Sequence, residues 1–327
     1  MIWPYANIVY WRTLPVRIWW VLLFLIVGLG ALFIFALGRV AKLSVAEQLL
    51  AREQVVARAQ AANMASFFEV FGNSVGVFAQ LTSVRTRNAN LRSNMDSFVE
   101  QWRESGIIGG VVVTDRNGVV QYNSNILGTS DVGASLPDRD YFVWAKAGAK
   151  EREYFVGSPV VSRLGATKGQ FIVPVASPIY QNGEFSGVVS ASIKLYPLAQ
   201  KYLELMKVSD ATAEYLFDAK GVLIYSNSGG DAANVDADEL LSDREVKNAL
   251  GATKEGKLLI GSRLVAYSPI MLGSQNFLLV TSSPSKEVMG ITTPIYIRLA
   301  IVLLLVYFTI LLFGEIISRE MMEKKSE

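Results

Sequence analysis

Arg139 follows Ser135-Leu-Pro-Asp138, which reads as a helix start, and Asp140-Tyr-Phe-Val-Trp144 continues it. A guanidinium in a first helical turn meets the positive end of the macrodipole, at a cost of a few tenths to about 1 kcal/mol. The same position becomes favourable when an anion docks, because guanidinium and free amides converge on it. Tyr141 and Trp144, three residues apart, share a helix face and can wall a pocket. Tyr122, Tyr154, Ser158, Ser162, Ser177 and Ser192 fall in strand-like segments and can add hydroxyl groups. Together these are the candidate ligand-binding residues. The competing reading has Asp138 and Asp140 neutralising Arg139 at the surface, with Tyr141, Phe142 and Trp144 as core.

Much other chemistry is excluded. The chain has no Cys and no His. Cys or His zinc sites, thiolate clusters, Cys nucleophiles, His triads and a phosphorelay histidine are therefore absent. Asp231, Asp236, Asp238 and Asp243 suggest Ca²⁺, but their spacing does not match an EF-hand loop; helix capping and a solvated loop is the reading taken, with no metal site. No phosphate loop, Gly-x-Ser-x-Gly elbow or paired-carboxylate signature stands out, so neither an enzyme nor a cofactor is expected. Lys and Arg number 31 against 29 Asp and Glu, which gives no basic excess for nucleic acid.

The site must be carried by a chain of 327 residues that is 51% hydrophobic and only 18% charged. Such a composition points to membrane segments. Ile18–Leu37 is an uncharged run of about 30 Å as a helix, with Trp19 and Trp20 at its start. The rival reading is a signal peptide ending near Ala36-Leu37-Gly38, but the apolar run is longer than such peptides use. A second span covers 299–317, interrupted by Glu315, with Arg298 at its near edge. Arg12 and Arg17 before the first span, and Arg319, Lys324 and Lys325 after the second, place both termini in the cytoplasm. Arg39 and Lys42 lie on the other side and weaken that asymmetry. The segments read as cytoplasm for 1–17, spans for 18–37 and 299–317, and a short tail for 318–327 with no room for a transmitter domain.

Between the spans, Lys42 to Leu81 lacks Pro and is rich in helix formers, which predicts a long stalk helix over 38–81. Met64, Phe67, Phe68, Phe71, Val75 and Phe78 recur at helical spacing, as do Leu91, Met95, Phe98 and Trp102. The stripe packs on its own domain, with dimer contact upstream. After Gly106 the pattern turns strand-like: Ile107–Thr114, Val119–Tyr122, Phe155–Val161, Gln170–Ile179 and Phe185–Leu195, with a helix near Asp138–Gly148. Asn117-Gly118 and Asn182-Gly183 are hairpin signals. This order is that of a PAS-like antiparallel sheet. It then repeats: Asp115-Arg-Asn-Gly118-Val matches Asp218-Ala-Lys-Gly221-Val, and Val175-Ala-Ser-Pro178-Ile resembles Val265-Ala-Tyr-Ser-Pro269-Ile. The Asp-x-x-Gly-Val element reads as a structural turn in both copies. A helix Tyr196–Lys207 links the modules, Asp236 with Glu239 opens a helix to Gly251 as a capping box, and 286–298 is a linker to the second span. The fold expected is α+β: two transmembrane helices flanking a long helix, a distal PAS-like module (82–207) and a proximal one (208–285).

This arrangement resembles the double-Cache sensor, the extracytoplasmic domain of bacterial and archaeal chemoreceptors, histidine kinases and cyclic-dinucleotide enzymes. Asp138-Arg139-Asp140-Tyr141-Phe142 resembles the family's R-x-[YW]-[YF] element, and Ser158-Pro159-Val160, Pro178-Ile179 and Gly187-Val188-Val189 fit the strands that follow. The resemblance covers roughly Ala41 to Ser285 and implies a ligand pocket in the distal module. The amino-acid-binding subset has a Tyr where Ala134 stands, and carboxylates where Ser192 and Ser162 stand. Without a carboxylate a ligand ammonium is poorly neutralised, so an α-amino acid is not the first choice.

The function expected is a membrane-anchored extracytoplasmic sensor. It binds a small organic anion and passes the signal through its transmembrane helices to a separate cytoplasmic signalling protein, as a homodimer in the plasma membrane. The alternatives are the sensor end of a longer chemoreceptor, histidine kinase or diguanylate cyclase, and a membrane-anchored enzyme or scaffold.

Overall fold

The computed structural model describes residues 16–204, 209–228, 230–272 and 275–326. The expected N-terminal cytoplasmic segment lies, up to residue 15, outside the described residues, as does the end of the expected linker helix at 205–207. The chain forms two compact units. One is Leu50–Pro284; the other joins Met1–Leu49 to Ser285–Glu327.

The unit of the two ends contains the start of helix α1 (Val16–Ala79) and all of α8 (Lys286–Ser326). Both helices contain stretches long and apolar enough to cross a membrane, by length and composition. Small residues let them pack. A Cβ on Gly30 would lie 2.7 Å from Leu303, and one on Gly38 would run into the Tyr296 ring. Residues 286–298, expected as a linker, are the first turns of α8. Pro294 is accommodated within it, and the Thr292 hydroxyl donates to the Val288 carbonyl at 2.8 Å.

In the larger unit, α1 is followed by α2 (Thr82–Thr86) and α3 (Leu91–Gln101). Met64, Phe67, Phe68, Phe71, Val75 and Phe78 are all buried, as are Leu91, Met95 and Phe98. Phe71 stacks on Phe67 and meets Trp102 edge-on at 5.2 Å. These helices cover one face of the first of two sheets, labelled distal (and the second proximal) only after the order expected from the sequence, formed by β1 (Ile108–Thr114), β2 (Val120–Asn125), β3 (Phe155–Val156), β4 (Val160–Val161), β5 (Phe171–Gln181) and β6 (Glu184–Lys194). Its order is β2-β1-β6-β5-β3, with β4 also on β5. The single strand expected over Phe155–Val161 is two short ones, because Pro159 between them has no N–H to donate to a ladder. Asn182 and Gly183 close β5 onto β6 with φ of 54° and 80°, the geometry of a two-residue hairpin turn.

Helix α4 (Asp140–Lys146) packs on the other face of this sheet, and α5 (Leu195–Leu203) leads to the proximal module. There β7 (Ala213–Asp218), β8 (Leu223–Ser226), β9 (Gly256–Ile260), β10 (Arg263–Leu272) and β11 (Gln275–Pro284) pair in the order β8-β7-β11-β10-β9. The repeat in sequence is a repeat in structure. Asp115 Oδ1 accepts from the N–H groups of Asn117 and Val119, and Asp218 Oδ1 from those of Lys220 and Val222. Gly118 and Gly221 follow with φ of 84° and 80°. The helix expected to open at Asp236 instead begins at Gly230 and breaks into α6 (Gly230–Ser242) and α7 (Arg244–Ala249). The cap is Asp243, which accepts from Glu245 and Val246 N–H; Asp236 is held by Arg263 and Tyr215.

Candidate ligand site

A cavity opens on the face of the distal sheet that carries α4. Its empty volume is about 550 Å³, the open mouth included. Strands β1, β5 and β6 form the floor with Gly109, Gly110, Pro174, Ser190 and Ser192. The loop before α4, the first turn of α4 and the loop after β4 form the walls with Asp131, Leu136, Arg139, Tyr141, Ser162, Arg163 and Thr167. Glycine is needed in the floor: a Cβ on Gly109 would meet the Thr167 methyl and lie 2.9 Å from the Ser192 hydroxyl.

Arg139 is the N-cap of α4, in extended backbone (φ −77°, ψ 138°), and not a residue of its first turn. The helix cannot start earlier because Ser135 bridges Val119 and Leu136 N–H donates to the Gly118 carbonyl. With only seven residues in α4, the macrodipole argument weakens. A different fact singles Arg139 out. Asp138 pairs with Arg163 at 2.5 Å, and Asp140 accepts from the N–H groups of Tyr141 and Ser158. The Arg139 guanidinium has no hydrogen-bond or ion-pair partner among the described residues.

Two titrations follow from the surroundings. The Arg163 hydrogen bond holds the Asp138 carboxyl below the usual carboxylate range. Burial pushes the Tyr141 phenol up to about 12, against a smaller opposing effect of the Ser190 hydroxyl.

The cavity brings together Arg139, Tyr141, Ser162 and Ser192 of the sequence candidates. The others lie elsewhere. Trp144 stacks on Phe155 at 5.2 Å and, with Tyr154, lines a surface groove along α1. Tyr122 is half-buried against the helix-covered core. Ser158 donates its N–H to Asp140, and the buried Ser177 hydroxyl donates to the Glu153 carbonyl at 2.8 Å. Sequence reasoning missed Asp131, Arg163, Ser190 and Thr167. Asp131 lies in an aperiodic loop; its N–H donates to Asn123 Oδ1 and its Oδ1 accepts from Gly165 N–H at 2.8 Å. A carboxylate therefore does reach the cavity, from a position no strand pattern marks.

Comparison with known proteins gives one family. A family model for the Cache domain matches residues 41–291. Among solved structures, the chain is similar to an extracellular ligand binding receptor from Desulfohalobium retbaense, with 13% identity and a TM-score of 0.54. That match covers 69% of this chain and only 39% of the receptor. It is also similar to a domain of a sensory box/GGDEF family protein from Vibrio parahaemolyticus, with 15% identity and a TM-score of 0.56 over 76% of this chain and 99% of that one. A third is the ligand-binding domain of the Pseudomonas fluorescens chemoreceptor CtaA in complex with L-serine, at 17% identity and a TM-score of 0.51 over 73% and 99% of the two chains. At such identities the likeness is one of fold. No curated protein matches.

Proposed function

This chain belongs to the Cache domain family of ligand-binding sensor domains, and on that premise we propose that it is a two-pass membrane receptor whose distal cavity binds a small organic carboxylate through Arg139. The observation that carries the reading is the guanidinium of Arg139, on a cavity wall with no protein partner among the described residues. Arg presents a planar fork that matches a carboxylate bidentately. Ser190, Ser192 and Tyr141 supply further hydroxyl groups beside it. The helices α1 and α8 support a membrane anchor and a route for the signal to a separate cytoplasmic partner, with the receptor working as a homodimer along α1.

Asp131 favours a second reading of the ligand. Its carboxylate on the same cavity can neutralise an ammonium, so a zwitterion such as an α-amino acid fits the charges of Arg139 and Asp131 together. CtaA, of the same fold, is solved with L-serine.

A thermal-shift screen of the purified chain against carboxylates with and without an amino group tests both. Ligand at a hundred times its Kd stabilises by about 2.7 kcal/mol. Stabilisation by simple carboxylates supports the first reading, and stabilisation only by amino acids the second. Stabilisation by neither class removes the assignment.

A further inference from the structure

Trp144 and Tyr154 stay outside the distal cavity, and the groove that they line along α1 has a chemistry of its own. Its empty space is about 1340 Å³, the open mouth included, and it shares no lining residue with the distal cavity. Two glycines of α1 bring its walls together. A Cβ on Gly72 would run into the Tyr154 ring, and one on Gly76 would lie 2.6 Å from the Arg152 carbonyl oxygen, so the loop before β3 lies directly on the helix. Trp144, in the last turn of α4, stacks on Phe155 at the start of β3. All three rings are half-buried, which leaves ring surface open to the groove. At the end of β10, Met271, 51% exposed, and Leu272 extend the lining with apolar surface.

The charge around these rings is negative. Glu69 stands on α1 three residues before Gly72 and lines the same groove. It is exposed and has no hydrogen-bond or ion-pair partner among the described residues. Burial pushes the Tyr154 phenol up, and the nearby Glu69 carboxylate pushes it the same way. A second hollow that shares Trp144 and Tyr154 adds Glu151, Arg152 and Glu153, so three carboxylates stand against one guanidinium around the two rings. The described residues set a cation over the Tyr296 ring but over none of these three.

We propose that the groove binds an organic cation, a quaternary ammonium carrying an apolar chain, with the ammonium at the Trp144 and Tyr154 rings beside Glu69 and the chain along Met271 and Leu272. The negative faces of aromatic rings attract a cation. A quaternary ammonium has no N–H groups that need acceptors, which suits a groove walled mainly by rings and apolar side chains. A small inorganic cation would give up its water shell for a single carboxylate and gain no further ligands. The inference stands apart from the carboxylate reading of the distal cavity.

The test is calorimetric titration of butyltrimethylammonium into the full chain in phosphatidylcholine nanodiscs, with empty discs as the blank. Hexan-1-ol is the neutral probe of similar apolar size. Wild type should bind the ammonium more tightly than the alcohol. Trp144→Leu keeps an apolar contact on Phe155 and should weaken ammonium binding about five- to thirtyfold, the range for a desolvated cation on an indole. Glu69→Gln should weaken it about fivefold at low salt, the worth of one unit charge about 4 Å away in water, and the difference should shrink as salt rises. Tyr154→Phe keeps the ring and should bind as wild type does. Glu69→Gln changes an exposed side chain, so it decides the matter even if Trp144→Leu does not fold. No binding by wild type, equal affinity for ammonium and alcohol, or an unchanged affinity in Glu69→Gln overturns the proposal. Loss of binding in Asp131→Asn with none in Glu69→Gln puts the cation in the distal cavity and overturns it as well.

Discussion

The Asp138 carboxylate takes the guanidinium of Arg163 at 2.5 Å and leaves its own neighbour, Arg139, without a partner. The Asp138–Arg163 pair is exposed, with more than half of each side chain open to solvent, so it contributes little to stability. Its consequence is electrostatic selection: of two arginines on one cavity, one is neutralised and one is available.

Arg139→Ala should therefore remove a charge-assisted hydrogen bond of roughly 1.5–3 kcal/mol, about ten- to a hundredfold in affinity. Arg139→Lys should restore only part of it, because an ammonium cannot make the bidentate fork. Thermal stability should hardly change, since the guanidinium makes no hydrogen bond that folding would lose. Calorimetric titration of both variants with a ligand found by thermal shift measures this. Unchanged affinity in Arg139→Ala, or outright unfolding, makes the residue structural.

Tyr141 sets a pH dependence. Its phenol titrates near 10 when unfolded, and burial between α4 and the sheet pushes it up to about 12. A pKa raised by folding gives stability that is fully present below pH 10 and lost as pH rises through 12. Two units correspond to about 2 to 3 kcal/mol. Urea unfolding of Tyr141→Phe should therefore fall less steeply between pH 10 and 12 than that of wild type, with the remainder carried by other buried phenols such as Tyr225. Parallel pH curves for the two proteins would show that folding does not raise the Tyr141 pKa.

What the sequence made legible followed from periodicity and turn chemistry. The stripe from Met64 to Phe78 needs only a 3.6-residue repeat, and the paired Asp115 and Asp218 turns need only an acceptor and a glycine at fixed offsets. Both act locally, so both can be read locally. Arg139 was visible for a reason that the structure replaces: the helix start lies later than its residues suggest, because Ser135 and Leu136 are held by the β1–β2 turn. Trp144 looked like a pocket wall beside Tyr141, but three residues along a helix can point to different sides of its sheet contact, and Phe155 takes the indole. Asp131 was invisible because its place is set by Asn123 and Gly165, 8 and 34 residues away in the chain.

The proposed dimer along α1 can be mapped cleanly, because the chain has no Cys of its own. Single Cys substitutions at the exposed Arg52, Val55 and Ala62 should cross-link in membranes. Substitutions at Ala57 and Gln60, whose side chains are buried, should not. Cross-linking absent at every exposed position leaves a parallel dimer without support.

The proposed topology places the Asn182-Gly183 turn outside the cell and Glu327 inside. The turn is an exposed hairpin tip, so an inserted reporter does not disturb the core. A phosphatase active only outside the cytoplasm should work at the turn and fail when fused after Glu327. The reverse pattern would invert the receptor.

Phe71 tests whether the two modules fold as one. It is fully buried in a cluster that also holds Val189 and Ile193 of the distal sheet and Leu216, Ile270 and Leu279 of the proximal one. Because α1 supplies apolar side chains to both sheets, loss of one ring should be felt by both. Truncating a fully buried Phe costs about 3–5 kcal/mol through lost transfer energy and the cavity left behind. Phe71→Ala should lower the denaturant midpoint with an unchanged slope, since the surface exposed on unfolding is the same. Trp102 and Trp144 report fluorescence from the distal module, and a probe placed on β10 reports the proximal one. Coincident, equally shifted transitions are expected. If the distal probe shifts and the proximal one does not, the modules unfold independently and α1 does not couple them.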